Sequence, residues 1–222
     1  MNLISLLSCL SVLLAAAVAQ YPKPCAVPPL MTGGINVMGA NGYMSSTGTI
    51  SYDAYGQRMR VRNAGIVGNQ TFTLDQLMLF SQKVYYEIDW SKLSCKKLPL
   101  DASFIPMQVP SDATLVGQAI VGSSSAWGMG ILTNTWSGKL SENSFYTSLF
   151  TEIGCIPVTF TGYTPQSGQT TINTFNWVLG ISNPMDFFPP IICTSSKLEE
   201  TETPHNVFTA LQSLAMKTKR DL

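Results

Sequence analysis

Residues 47–62 fold back on themselves by pattern alone, and that hairpin commits the chain to antiparallel β structure more firmly than any other stretch. Ile50 and Tyr52 alternate with Ser51 and Asp53, the two-residue period of a strand with one buried face. Asp53, Ala54, Tyr55 and Gly56 supply the turn: Asp suits its first position, and Gly suits a place where φ turns positive. The return strand sets Met59 and Val61 on one face and Arg58, Arg60 and Arg62 on the other. These are three of the chain's 13 basic residues. The simple reading is a solvated basic face, exposed or paired with acids across the sheet. The alternative is Arg58 buried against Asp53 across the turn, in the bidentate geometry that suits arginine and carboxylate.

The same alternation recurs along the chain. Residues 72–80, 83–88, 119–121, 130–136, 156–163 and 170–181 read as further strands, rich in β-branched or aromatic residues and bounded by Gly, Pro, Asn or Ser. Val84, Tyr86 and Ile88 share one parity, as do Ile156, Val158 and Phe160, and Phe175, Trp177 and Leu179. That is the mark of antiparallel sheet with one dry face. Residues 106–119 read as a loop or a short helix opened by Pro110 and Ser111, and 144–153 fit either strand or helix. The glycine-rich stretch 33–42 has the gap of a phosphate loop between Gly34 and Gly39. Ala40 and Asn41 stand where Lys and Ser/Thr are required, so it is not one.

Composition agrees with a β-rich chain. Only 12% of the 222 residues are charged, against about 25% in an ordinary globular domain. Thirteen bases balance thirteen acids, which argues against nucleic acid, whose binding needs concentrated positive charge. Residues 1–19 read as an export signal: an apolar run over 3–17 ends in Ala17, Val18 and Ala19, placing cleavage before Gln20. Cys9 leaves with it. No later run approaches the roughly 18 apolar residues of a membrane span. Residues 20–222 then form one domain. It has a Pro-rich arm over 20–30 and, over 195–222, an acidic tail and an amphipathic helix opened by Pro204 with Val207, Phe208, Leu211 and Leu214 at helical spacing.

The exported chain keeps four cysteines, Cys25, Cys95, Cys155 and Cys193, which predict two disulfides with three possible pairings. None has metal-ligand spacing, and His205 is the single histidine, so zinc is not expected. Asn69, in the sequon completed by Thr71, is the glycosylation candidate, in a turn flanked by Gly65 and Gly68. Catalytic constellations are missing. A triad would have to use His205, no Gly-x-Ser-x-Gly elbow occurs, and nothing brings two carboxylates together. No EF-hand loop is present, so a calcium site would have to be assembled from separate loops.

Read together, these short motifs resemble the ependymin-related proteins, most of all their invertebrate members. They are Tyr52, Asp53 and Ala54 with Gly56, Arg58 and Arg60; Cys95 with Lys96 and Lys97; Val109 and Pro110 with Ala113; Trp136 with Gly138; Gly154, Cys155, Ile156, Pro157 and Val158; and Asn183 and Pro184 with Phe187, Pro190 and Cys193. The resemblance covers about Cys25 to Cys193. It implies a secreted, disulfide-bonded, N-glycosylated protein, commonly a homodimer, with no catalytic residues. The implied fold is all-β: two stacked antiparallel sheets, a half-open sandwich like bacterial lipoprotein carriers, with a central hydrophobic pocket and short peripheral helices. It also implies pairing of Cys25 with Cys155 and of Cys95 with Cys193, and an association with calcium, cell adhesion and extracellular matrix, including shell matrix. The chain departs from the vertebrate membrane-associated relatives in lacking an extra cysteine pair. It also carries one sequon rather than several, which weakens calcium binding through a glycan coat.

Two functions are therefore expected to compete. One is a carrier for a fatty acid, lipid or other hydrophobic molecule, with Trp136, Phe160, Phe175, Trp177 and Leu179 facing between the sheets and Met78, Tyr86 and Ile131 as further lining. Ten methionines suit an adaptable apolar site. The other is a structural or adhesive matrix protein that binds calcium and whose pocket holds no physiological ligand. A hydrolase ranks well behind both, since positioned acid–base groups are missing.

Overall fold

The computed structural model describes residues 8, 21–39, 42–101, 103–165, 168–199 and 210. The export segment and the C-terminal helix, apart from the single helical positions Ser8 and Ala210, lie outside the described residues. Eleven strands follow in order: β1 (Leu30–Gly39), β2 (Met44–Asp53), β3 (Arg58–Val67), β4 (Gln70–Leu79), β5 (Val84–Asp89), β6 (Ser94–Pro99), β7 (Thr114–Gly122), β8 (Gly130–Ser141), β9 (Ser144–Thr151), β10 (Pro157–Thr164) and β11 (Gly168–Leu179). They form one open antiparallel ladder in the order β6-β5-β4-β3-β2-β1-β11-β10-β9-β8-β7. The chain is thus two meanders, β1–β6 and β7–β11, sewn together where β1 pairs with β11.

The two expected layers are the two halves of this ladder. Met31, Tyr52 and Tyr85 of the first half share one apolar cluster with Trp136 and Phe150 of the second. Continuity has a plain cause: pairing β1 with β11 satisfies two strand edges that separate sheets would leave open. The face carrying this cluster is called inner here and the opposite face outer.

The hairpin of β2 and β3 has the predicted register, with Asp53 opposite Arg58 and Ile50 opposite Val61. Met59 and Val61 are buried on the inner face. In the turn, Asp53 Oδ1 accepts from the Gly56 amide at 2.8 Å and Oδ2 from Arg58 Nε at 2.8 Å. The positive φ falls on Gln57 (+49°) rather than on Gly56. Gly56 instead makes room, since a Cβ there would lie 2.6 Å from Arg58 Nε.

Most of the glycine-rich stretch is strand β1. A Cβ on Gly33 would lie 2.6 Å from the Trp177 ring, so that indole rests directly on the β1 backbone. The ambiguous 144–153 segment is mainly β9, and 106–119 is a loop that becomes strand at Thr114. Strand β6, built from Ser, Cys, two Lys, Leu and Pro, carries no β-forming run and is absent from the sequence reading.

The first half is covered on its outer face too. Residues 184–193 form two 3-10 turns (Pro184–Phe187 and Ile191–Cys193) lying against β3–β6, pinned by the bridge from Cys193 to Cys95. Phe187 and Cys193 join Leu77, Leu79, Tyr86 and Ile88 in a second apolar cluster there. The other bridge, Cys25–Cys155, ties the N-terminal arm to the loop between β9 and β10. Both are the pairs that the resemblance implies.

Candidate functional site

Strand register arranges the inner face in transverse rows. One row, Leu179, Met31, Tyr52, Met59, Met78, Tyr85 and Leu98, crosses seven strands from β11 to β6. Every member is buried except Leu179, which is 67% exposed. Phe104 stacks on Tyr52 (centroids 5.9 Å apart) and meets Phe80 edge-on, and the Met107 amide donates to the Tyr52 hydroxyl at 3.1 Å. The loop between the two meanders thus closes this end of the inner face. Burial pushes the Tyr52 phenol above its ordinary value, against the hydrogen bond from Met107 that lowers it.

Another row, Leu115, Trp136, Ser148, Phe160, Ile172, Val37 and Ser46, crosses β7 to β2. Beside it, Tyr146 leans over Gly138, where a Cβ would lie 2.7 Å from the phenol oxygen, and stacks on Phe160 at 5.7 Å. Trp136 Nε1, Ser148 Oγ and the Tyr146 hydroxyl are all buried here without a hydrogen-bond partner. Burial, with the Asp112 charge adding to it, raises the Tyr146 pKa. In the next row, Asn134 donates to Glu152 and accepts from Gln118 at 2.8 Å. Ile120 and Leu132 then extend the apolar inner face to solvent, 47% and 42% exposed. At the first half's end of the inner face, Gln76 Nε2 donates to the Tyr85 hydroxyl (2.8 Å) and to the carbonyl of the fully buried Ala210 (2.6 Å).

The expected pocket residues divide between the faces. Trp136 and Met78 are buried on the inner face. Phe160 and Trp177 are half-buried there, the Trp177 indole donating to Pro157 O at 3.1 Å. Leu179 is inner but at the exposed rim. Phe175, Tyr86 and Ile131 are corrections. Between Thr32 and Gly34 the β1–β11 register slips, so that Asn176 and Trp177 together face Gly33. Asn176 takes φ +53° in this bulge. The extra residue turns Phe175 to the outer face, 43% exposed, although it shares sequence parity with Trp177. Tyr86 is buried on the outer face of β5, with Lys97 Nζ 5.8 Å from its ring centroid. Ile131 alternates away from Leu132 and is 59% exposed.

The arginine face is an ion-pair network rather than a solvated patch. Arg60, 5% exposed, bonds Asp75 through Nε and Nη2 and donates to the Asp186 carbonyl at 2.9 Å. Arg62 bridges Asp75 (3.5 Å) and Asp186 (2.8 Å), and Ser51 Oγ donates to Asp186 at 2.9 Å. Arg58 pairs with Asp53, half-exposed, its guanidinium 4.5 Å from the centroid of Phe187. Sequence reasoning missed Asp186 because the covering 184–193 segment is remote in the chain, and missed Asp75, directly opposite Arg62 on β4, because it did not fix the β3–β4 register. It also missed Tyr146 and Ser148, whose alternation with Phe145 and Thr147 in the ambiguous segment was the available signal.

On the outer face at the seam lies a shallow, open depression of about 330 Å³ lined by Gly34, Thr49, Phe175, Val178 and Ser182 among others. Asn69 is exposed at the tip of the β3–β4 turn. Among the described residues there is no group of three or more His, Cys, Asp or Glu placed to hold a metal, and no helix long and apolar enough to cross a membrane.

In fold, the chain is similar to an uncharacterized conserved protein from Thermus thermophilus. The TM-score is 0.51 at 6% identity, over 78% of this chain and 91% of that one. In sequence, it is 32% identical to ependymin-2 of Carassius auratus, covering 84% of this chain and 86% of that protein. Ependymin-2 of Salmo salar is also 32% identical (84% and 85% covered), and mammalian ependymin-related protein 1 of Mus musculus 27% (81% and 80%). The ependymin family profile matches residues 68–193, which include the Cys95–Cys193 pair, the acids Asp75 and Asp186 that meet the arginines, and all of β7–β11. The chain belongs to the ependymin family.

Proposed function

We propose that the protein is a secreted, non-enzymatic glycoprotein that holds a lipid or other hydrophobic molecule between the two halves of its sheet. The observation that carries this reading is the inner face itself. One row is apolar and dry from Met31 on β1 to Tyr85 on β5 and runs on to Leu179 at a solvent-exposed rim. Beyond the polar row of Gln118, Asn134 and Glu152, the large apolar side chains of Leu132 and Ile120 also meet solvent. An apolar lining that runs from a core to open water is the form of a ligand entrance. Two disulfides and an exposed Asn69 support export and glycosylation. Calcium association, homodimer formation and matrix contacts remain part of the wider reading and rest on family membership.

Adjacent residues supply the test. Leu132 and Ile131 are both exposed but face opposite ways, so Leu132→Asp places a charge at the entrance and Ile131→Asp places one outside it. Uptake of a fluorescent fatty acid by the purified protein is expected to fall with the first and to stay unchanged with the second, both disulfides being intact in each. No uptake by the unaltered protein, or equal loss in both variants, overturns the reading in favour of an adhesive or mineral-matrix protein.

A further inference from the structure

Buried polar atoms almost always find a partner, because leaving one unpaired forfeits its hydration for nothing in return. Trp136 Nε1, Ser148 Oγ and the Tyr146 hydroxyl break that rule together, within two adjacent rows of one sheet face. Trp136 and Ser148 are direct cross-strand partners, and Tyr146 stands two residues before Ser148 on the same side of β9. Their side chains are 2%, 4% and 4% exposed. Around them the surface is apolar or small: Phe150, Phe160, Ile172, Gly138 and Gly162.

The three groups form an uncharged set with one obligate donor, the indole N–H, and two hydroxyls that donate or accept. The rows through them contain no Lys or Arg. Arg58, Arg60 and Arg62 are on the outer face, Lys139 alternates to that face, and Lys96 is at the far edge strand, paired with Glu199 at 3.8 Å. Two acids border the set: Glu152, held by Asn134 in the adjoining row, and Asp112, whose charge is felt at Tyr146. A carboxylate brought here meets negative charge and no cation, whereas an uncharged head group meets three unsatisfied partners.

We propose that Trp136, Ser148 and Tyr146 anchor the polar head of an uncharged amphiphile (an alcohol, acylglycerol or acylamide), so that the site selects neutral lipids over free fatty acids of the same chain. This rests on the binding reading above and narrows its ligand class.

Competition against a bound fluorescent probe tests it, with hexadecanol, monopalmitoylglycerol and palmitate compared at mildly alkaline pH, where the acid is ionised. The neutral lipids are expected to displace the probe at concentrations about tenfold or more below palmitate. Tyr146→Phe and Ser148→Ala are each expected to weaken the neutral lipids about three- to tenfold and to leave palmitate and the probe unchanged, since one hydrogen bond is removed and no volume is added. Neither variant should melt below the parent, because each deletes a hydroxyl that has no partner. Palmitate competing as well as the neutral lipids overturns the proposal, and so does neutral-lipid affinity unchanged in both variants, which would assign the trio to bound water. Those two results leave probe uptake, and hence the binding reading, standing. A protein that takes up no probe removes both.

Discussion

Arg60 on β3 and Asp75 on β4 are joined by two parallel hydrogen bonds of 2.7 Å, with both side chains almost wholly out of water. Asp75 also accepts from the Trp90 indole at 2.8 Å, so its charge is fully used. Arg60→Leu leaves the buried Asp75 carboxylate with only Arg62, 3.5 Å away, as a cation, and is expected to cost about 3 kcal/mol in urea unfolding. Arg60→Lys should recover only part of this, since an ammonium cannot form the paired fork. The double replacement of Arg60 and Asp75 by Leu should cost clearly less than the sum of the single changes; simple additivity would show that the pair is not coupled.

Asp186 adds a pH dependence with a defined sign. Burial works to raise its pKa, but the hydrogen bonds from Arg62 and Ser51 and the charges of Arg62 and Arg60 outweigh it, leaving it below the usual carboxylate value. The stability it contributes is complete above the unfolded value of about 3.9 and drains away as pH falls through the lower folded value. Melting temperature followed into acid should therefore drop less steeply in Asp186→Asn than in the parent, from a lower neutral starting point. Parallel curves would remove Asp186 from the account.

Gly33 carries the Trp177 ring on its bare backbone. Gly33→Ala forces the indole away and stretches its bond to Pro157 O. A loss of roughly 1–3 kcal/mol is expected, as for an overpacked core, with a shift in tryptophan fluorescence. An unchanged spectrum and stability would mean that the ring has room elsewhere.

The Cys95–Cys193 bridge holds 184–193 over the buried Arg60. Replacing both cysteines by serine should cost about 4–5 kcal/mol on loop-closure grounds and open the segment to limited proteolysis. Cleavage confined to residues 100–113 instead would place the weak point in the loop between the meanders.

Much of this architecture is legible from side-chain period alone, because a strand with one dry face announces itself every second residue. The β2–β3 hairpin is readable to the register, and the 170–181 strand is readable as a strand. Its faces are not, since the bulge at Asn176 inverts the parity of Phe175 relative to Trp177 and depends on Gly33 being available on another strand. Burial of Arg60 was hidden for a related reason. Arg60 has the alternation of a solvated residue, and only a segment more than a hundred positions away, tied down by a disulfide, makes its face an interior. The unpartnered trio is invisible at sequence level, because lacking a partner is a property of three-dimensional surroundings and not of residue type.

The β1–β11 seam also sets a clock. Within each meander, neighbouring strands follow one another in sequence, so those pairings close short loops. Across the seam, contacts such as Thr32 with Gly180 join residues 148 positions apart, and that encounter must bear its chain entropy before any ladder bond repays it. The halves should therefore assemble first and zip together last, with the seam as the slow step of refolding. Cys25–Cys155 connects the two meanders, so oxidation keeps their ends close. Refolding with that bridge intact should outpace refolding of the reduced chain, which makes the order of oxidation and zippering a matter of rate as much as of final stability.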